Sequence, residues 1–312
     1  MDKTKHIVGI GGLNYDIHIK TFGKPVACDS NPAGTYCSAG GVTRNILENL
    51  ARLELSCTLL SSVGCDGFGE SLKAECEGSG IDISLLRTDE KFPTSTYVSM
   101  LDPDGEMFIA ANDMRIHEAT PAEYYRKNAD AIKTADAVIT DANLTELQLE
   151  TVFELSEGIP VFADPVSAAK CRRLLPFIEK LHFIKPNLME LEALCGLQCG
   201  TDGSIEAACE KLLEKGLEKI AVSLGGKGCY YADRSGEHFF KKLSCSLPVK
   251  NVSGAGDAFT AGAVCAFLEG ADPKEAIGFA LACGKIATLS EDTVNPAITQ
   301  EYVFRFLDRY EN

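Results

Sequence analysis

The chain has 312 residues, 45% hydrophobic and 24% charged, with a formal net charge of -15. That length and balance fit one large soluble α/β domain with room for a small appendage. The acidic excess excludes a reader of nucleic-acid backbones, which needs clustered Lys and Arg, but not a phosphorylated small molecule held by backbone amides and Mg²⁺.

No apolar run approaches the length of a membrane span, and Met1 to His6 leads straight into a strand-like run instead of a signal-peptide core. The expected setting is the cytoplasm, with neither nucleic acid nor membrane as a partner. Thirteen cysteines are scattered and odd in number. The tightest pair, Cys195 and Cys199, has no second pair at zinc-site spacing, and Cys57, Cys229, Cys265 and Cys283 read as small hydrophobes. The five histidines make no ligating motif.

In chain order, His6 to Gly12 reads as a buried strand ending at Gly11-Gly12. Polar residues just past a strand end are where α/β sheets bind ligands, so Asn14 and Asp16 either hold substrate hydroxyls or form an ordinary Asx turn. Ile17 to Ser38 alternates apolar and polar residues between Gly and Pro interruptions. Ser95 to Leu101 and Glu106 to Asn112 repeat that pattern about the turn Asp102-Pro103-Asp104-Gly105. These stretches, about 15–38 and 95–113, are expected to form one small sheet that leaves a single α/β domain twice and covers a substrate or pairs with another subunit.

Between them, Ser38-Ala39-Gly40-Gly41-Val42-Thr43-Arg44-Asn45 opens a helix reaching Leu53. Gly40 and Gly41 permit close backbone approach, and Asn45 lies one turn in, pointing back towards the helix start. A strand over 57–63 and a helix over 68–77 follow. From Pro121, helices over 121–134, 145–157, around 172–180 and over 204–215 alternate with strands over 137–141, 161–164, 182–185 and 219–224. The alternation predicts a Rossmann-like, doubly wound, mostly parallel sheet in an α/β fold, with the small β sheet as a lid.

Two strand ends in this half have functional alternatives. Asn187 with Glu190 reads as a capping box, or as oxygen ligands organising hydrated Mg²⁺ near nucleotide phosphates. Ser223-Leu224-Gly225-Gly226-Lys227-Gly228 reads as a hairpin turn, or as open backbone that receives a nucleotide; it lacks the Walker spacing.

Asn251-Val252-Ser253-Gly254-Ala255-Gly256-Asp257 then sets a small, flexible loop before an apolar helical run, Ala258 to Leu268. The first amides of a helix lack intrahelical partners and, with the macrodipole, attract phosphate. A carboxylate beside such a site is repelled by its ligand. Asp257 therefore either complements the dipole or takes a proton from a hydroxyl while the amides stabilise the transferred phosphoryl group.

With these pieces in this order, the chain resembles the ribokinase-like, or PfkB, carbohydrate and nucleoside kinase family over nearly its whole length. The likeness rests on Gly40-Gly41 with Asn45, Asn187 with Glu190, Ser223 to Gly228, and Asn251 to Gly262. It implies a ribokinase-like domain whose β lid often serves in dimerisation, hence a homodimer through the lid. It implies Asp257 as the base and the amides of Gly254, Ala255 and Gly256 as an anion hole. Asn187 and Glu190 would act on Mg²⁺ through water, while Asn187, Ser223, Gly225, Gly228, Gly254 and Gly256 would border ATP. Asn14, Asp16, Gly40, Gly41 and Asn45 would hold ribose-like hydroxyls of a small-molecule nucleoside.

Asp29-Ser30-Asn31-Pro32, Gly40 to Asn45, Asn112-Asp113-Met114, Asp164 to Cys171 and Thr293-Val294-Asn295-Pro296 are similar to the pseudouridine-phosphorylating branch of that family. That likeness implies ATP-dependent transfer to a 5′-hydroxyl. Ser30, Asn31 and Asn112 then either read a uracil-like ring or serve the folding of the lid. Lys170 either neutralises substrate or phosphate charge or is a surface lysine. In one place the chain departs from the family pattern: Asn251-Val252-Ser253 stands where many relatives have Asp-Thr, which leaves a carried-over K⁺ site in doubt. The alternatives are a family kinase acting on ribose, fructose or another nucleoside, and a silent sugar-binding regulator, which would be expected to lose Asp257 or Glu190.

Overall fold

The computed structural model describes residues 5–200, 202–245 and 247–310. The first half of the chain runs β1 (His6–Ile10), β2 (Asn14–Thr21), β3 (Ala33–Gly40), α1 (Val42–Arg52), β4 (Ser56–Leu60) and β5 (Ser62–Gly64). It continues with α2 (Gly67–Gly78), β6 (Ile81–Asp82), β7 (Arg87–Asp89), β8 (Thr96–Leu101) and β9 (Met107–Asp113). Three short helices follow, α3 (Arg115–Glu118), α4 (Ala122–Lys127) and α5 (Ala129–Lys133), then β10 (Ala137–Asp141), α6 (Glu146–Leu155) and β11 (Val161–Asp164). Next come β12 (Phe183–Ile184), α7 (Leu188–Cys195), α8 (Asp202–Glu214), β13 (Lys219–Ser223), β14 (Cys229–Asp233) and β15 (His238–Lys241). Helices α9 (Ala255–Leu268), α10 (Pro273–Ala287) and α11 (Gln300–Tyr310) complete the chain.

The main sheet has the order β15-β14-β13-β12-β11-β10-β1-β4-β6. It is parallel from β13 to β6, with β14 and β15 added antiparallel at one edge. Successive residues of its strands feed two separate cores: Ile7, Ala137, Ile139 and Phe162 on one face, Val8, Val138, Val161 and Ala163 on the other. Burial on both faces is what a doubly wound parallel sheet demands of its strands. Helix α1 lies so close to β1 that a Cβ at Gly9 would stand 2.5 Å from a Leu47 methyl. No helix among the described residues is long and apolar enough to cross a membrane.

Two helices differ from expectation. The run over 121–134 is divided into α4 and α5 at Asn128, whose side-chain amide donates to the Tyr124 carbonyl at 2.9 Å and competes with helical continuation. The segment Cys171–Lys180 is a 3-10 helix because Pro176 inside it lacks the amide an α-helix requires.

A second, four-stranded sheet has the order β3-β2-β8-β9. Its central pair, β2 and β8, is parallel, and both outer strands are antiparallel to their neighbours. Tyr15 anchors its base by stacking on Phe68 of α2, ring centroids 4.4 Å apart.

Candidate active site

The parallel strands end along one edge of the main sheet, where an open α/β sheet presents its crevice. Gly11 and Gly12 follow β1, Asp141 ends β10, Asp164 ends β11, Lys185 follows β12 and Ser223 ends β13. Asp141 ties this edge together. Its Oδ2 accepts from the Gly12 amide (2.9 Å), the Thr43 amide (3.1 Å) and Thr43 Oγ1 (2.7 Å), while Oδ1 accepts from the Asn143 amide (2.9 Å). The start of α1 is thereby fixed against the end of β1.

One turn into α1, Asn45 Nδ2 donates to Asp257 Oδ2 at 2.9 Å. Asp257 lies in the first turn of α9, after Gly254 at φ 75. A Cβ at Gly254 would stand 1.9 Å from the Thr293 carbonyl oxygen, so only glycine fits this turn. Of the predicted anion-hole amides, Ala255 N–H makes a long 3.4 Å bond to the Val252 carbonyl. The Gly256 and Asp257 amides fall at first-turn positions that have no intrahelical acceptor. Burial pushes the Asp257 carboxyl up to about 7, aided by the nearby charges of Asp164 and Asp141 and opposed by Asn45 and Lys185.

Lys185 lies beneath this turn. Its Nζ is 3.4 Å from Asp164 Oδ2 and would be 2.8 Å from a Cβ at Gly256. Burial disfavours its charge, but Asp164, Glu190 and Asp257 outweigh that cost and hold the ammonium above its ordinary range. It is the counter-charge of the acidic cluster.

At the mouth of the small sheet, Asn14 Nδ2 donates to Asp16 Oδ1 at 2.5 Å. Burial lifts the Asp16 carboxyl to about 6, against the pull of Asn14 and Arg44. Gly40 faces it so closely that a Cβ there would lie 2.2 Å from Asp16 Oδ2. Gly41, at φ 103, would press a Cβ onto the Gly12 carbonyl at 2.3 Å. Arg44 Nη1 links the region to Asn45 Oδ1 at 3.1 Å. Asn14, Asp16, Gly40, Gly41, Asn45 and Asp257 are thus brought together.

Asn187 and Glu190 form the expected capping box: the Asn187 amide donates to Glu190 Oε2 (2.8 Å) and the Glu190 amide to Asn187 Oδ1 (2.9 Å). Burial and the charge of Asp164 raise the Glu190 carboxyl, with Asn187 and Lys185 opposing. Among the described residues no three side chains are grouped to cage a metal. The buried Glu190 carboxylate and the exposed Asn187 amide oxygen are hard-oxygen groups of the kind that suits a hydrated Mg²⁺ arriving on a nucleotide. Beside them, Ser223, Gly225, Gly228, Val252, Gly256 and Leu281 border a cavity of about 250 Å³, large enough to receive part of a ligand. Gly225 and Gly228 have φ 58 and 100, and a Cβ at Gly228 would meet the Lys241 carbonyl at 2.2 Å.

In the loop where the resemblance implies K⁺, the Asn251 side chain is engaged by the backbone. Asn251 Nδ2 donates to the Glu291 carbonyl at 2.9 Å, and Asn251 Oδ1 accepts from the Ser253 amide at 2.9 Å. A neutral amide, already bonded to the backbone on both of its ends, stands where the family pattern has a carboxylate.

The remaining sequence candidates separate. Lys170 Nζ donates to Asn143 Oδ1 at 2.6 Å, on the Asp141 side of the site; its burial lowers the ammonium's pKa. Asn31 spends its amide within its own loop, accepting from the Val26 amide (2.8 Å) and donating to the Val26 and Asp29 carbonyls (3.0 and 3.1 Å). The Ser30 amide likewise bonds the Asp29 side chain. These two are not joined to the Asp257 cluster. Asn112 lies exposed on β9, opposite Tyr97. Sequence reasoning gave no role to Asp141, Lys185 or the Asp164 carboxylate. The signal for each was a charged residue at the end of an otherwise apolar parallel strand.

The family model for the pfkB family carbohydrate kinases matches residues 4–300. Pseudouridine kinase of Escherichia coli is 35% identical over an alignment covering 100% of this chain and 99% of that protein. An uncharacterized sugar kinase of Escherichia coli is 33% identical, over 96% of this chain and 83% of the relative. Among solved structures, Arabidopsis thaliana ribokinase complexed with ribose and ATP superposes with a TM-score of 0.89 at 22% identity, covering 97% of this chain and 99% of that one, a likeness of fold. The chain belongs to the pfkB family of carbohydrate kinases.

Proposed function

We propose that this pfkB-family kinase transfers the terminal phosphoryl group of ATP to the 5′-hydroxyl of pseudouridine. The observation that carries the transfer chemistry is the Asp257 carboxyl, with a pKa of about 7, set in the first turn of α9 and tethered by Asn45. A buried carboxyl raised towards neutrality is a stronger base than a free one and can take a hydroxyl proton as the oxygen attacks. The unpartnered Gly256 and Asp257 amides, with the helix dipole, favour negative charge on the group in transit. Lys185 keeps the surrounding carboxylates from repelling it. Little covalent work remains for the protein beyond alignment and charge stabilisation.

Asn14, Asp16 and Asn45 hold the ribose hydroxyls, and the full-length likeness to a pseudouridine kinase supports the choice of acceptor. ATP lies in the cavity between the β13–β14 turn and α10, bordered by Ser223, Gly225 and Gly228. Mg²⁺, when bound, supplies neutralising charge to the phosphates; Glu190 and Asn187 hold it through water. The alternating face of the small sheet that carries Ile17, Ile19, Val98, Met100 and Ile109 is apolar, and Ile109 is 59% exposed. A second copy covering that face makes the homodimer. The test is product analysis after incubation with ATP, Mg²⁺ and pseudouridine. A nucleoside 5′-monophosphate formed in step with ADP supports the reading; ADP release indifferent to added nucleoside refutes it.

A further inference from the structure

The register of the small sheet places four side chains in one row. Asp16 of β2 pairs with Ser38 of β3 on one side and with Tyr97 of β8 on the other, and Tyr97 pairs with Asn112 of β9. Directly paired residues project from the same face of a sheet. Asp16 fixes which face this is: it contacts Asn14 and lies against Gly40, at the mouth of the crevice that holds Asp257. Tyr15, one residue earlier, points the opposite way onto Phe68. Tyr97 and Asn112 therefore look into the crevice.

We infer that Tyr97 is the platform for the base of the nucleoside and that Asn112 reads the edge of that base, with Asp16 holding the ribose in the same row. The inference rests on the nucleoside reading given above. Strands lie about 4.8 Å apart, so Asn112 stands roughly 10 Å across the sheet from Asp16. That span suits a molecule with a sugar at one end and a pyrimidine at the other. Tyr97 is half-buried, and its hydroxyl reaches only the Met107 sulfur, at 4.0 Å. Ser38 Oγ, at the other end of the row, is enclosed without a hydrogen-bond partner. Of the alternative base readers, Asn31 spends its side-chain amide within its own loop.

The row also offers a way to choose between two isomers. Pseudouridine carries a ring N–H where uridine carries a C–H, and the Asn112 amide oxygen can accept from the first only. The experiment measures kcat and KM for the parent, Tyr97→Leu, Tyr97→Phe and Asn112→Ala, with pseudouridine, uridine, ribose and ATP as varied substrates. Tyr97→Leu should raise the nucleoside KM roughly ten-fold, as loss of base stacking does, while Tyr97→Phe stays near the parent. The KM for ATP should not move. Asn112→Ala should narrow the pseudouridine-to-uridine ratio of kcat/KM by about ten-fold. A nucleoside KM unchanged in Tyr97→Leu, or one that rises equally for ribose, overturns the row but leaves the substrate standing. A parent enzyme that turns over ribose and no nucleoside overturns the substrate reading, and the row with it.

Discussion

Asn45 Nδ2 and Asp257 Oδ2, 212 residues apart in the chain, meet at 2.9 Å and join the opening turns of α1 and α9. Both helices open onto the crevice at the ends of the parallel strands. The bond orients the Asp257 carboxylate through one of its two oxygens.

Replacing that carboxylate removes the base but keeps the shape. Asp257→Asn should lower kcat by about 10²–10⁴-fold with the KM values little changed. Steady-state kinetics with both substrates checks this; near-parental turnover would remove Asp257 from the mechanism.

The acid limb of kcat/KM should fall near pH 7, because Asp257 acts only when ionised and its carboxyl is raised to about 7. Lys185 favours the ionised form, so Lys185→Met should move the limb to higher pH. The stability sign runs opposite to activity. A carboxyl whose folded pKa exceeds its unfolded value binds its proton more tightly when folded, so its contribution to stability declines between about pH 4 and 7. Thermal unfolding across that window should show a shallower loss in Asp257→Asn than in the parent.

Gly254 tests the shape of the loop before α9. Gly254→Ala meets both a left-handed φ and the Thr293 carbonyl, so it should lower the melting temperature and weaken ATP use. Gly203→Ala, in α8 with open space around it, should be neutral or stabilise by about 0.5–1 kcal/mol. Equal effects of the two would deny the loop its constraint.

The fold was legible because each level of the sequence agreed. Apolar strand runs, helical periodicity and the glycines before α1 and α9 all pointed to one doubly wound sheet. The glycines of the crevice were legible for the same reason: Gly41, Gly228 and Gly254 mark positive-φ turns pressed against backbone, and Gly40 leaves room for the Asp16 carboxylate. What could not be read were contacts that need the third dimension. Asp141 looks like the end of an ordinary strand until its carboxylate is seen gathering Gly12, Thr43 and Asn143. Lys185 reads as the last residue of the strand over 182–185, because its partners Asp164 and Asp257 come from other strands and helices. Tyr97 reads as a β-former; only the strand register places it beside Asp16.

Asn251 predicts independence of monovalent cations. Its amide already bridges to the Glu291 carbonyl, so exchanging K⁺ for tetramethylammonium should leave the rate unchanged. Asn251→Asp should slow the enzyme by turning that donor into a carboxylate that repels the carbonyl, and K⁺ should restore part of the loss. Activation of the parent by K⁺ would contradict this.

The most direct test of the account is ATP consumption with pseudouridine, uridine, ribose and fructose side by side, in the presence of Mg²⁺. The highest kcat/KM should belong to pseudouridine. A preference for ribose or fructose, or no turnover with any of the four by a folded protein, would contradict it.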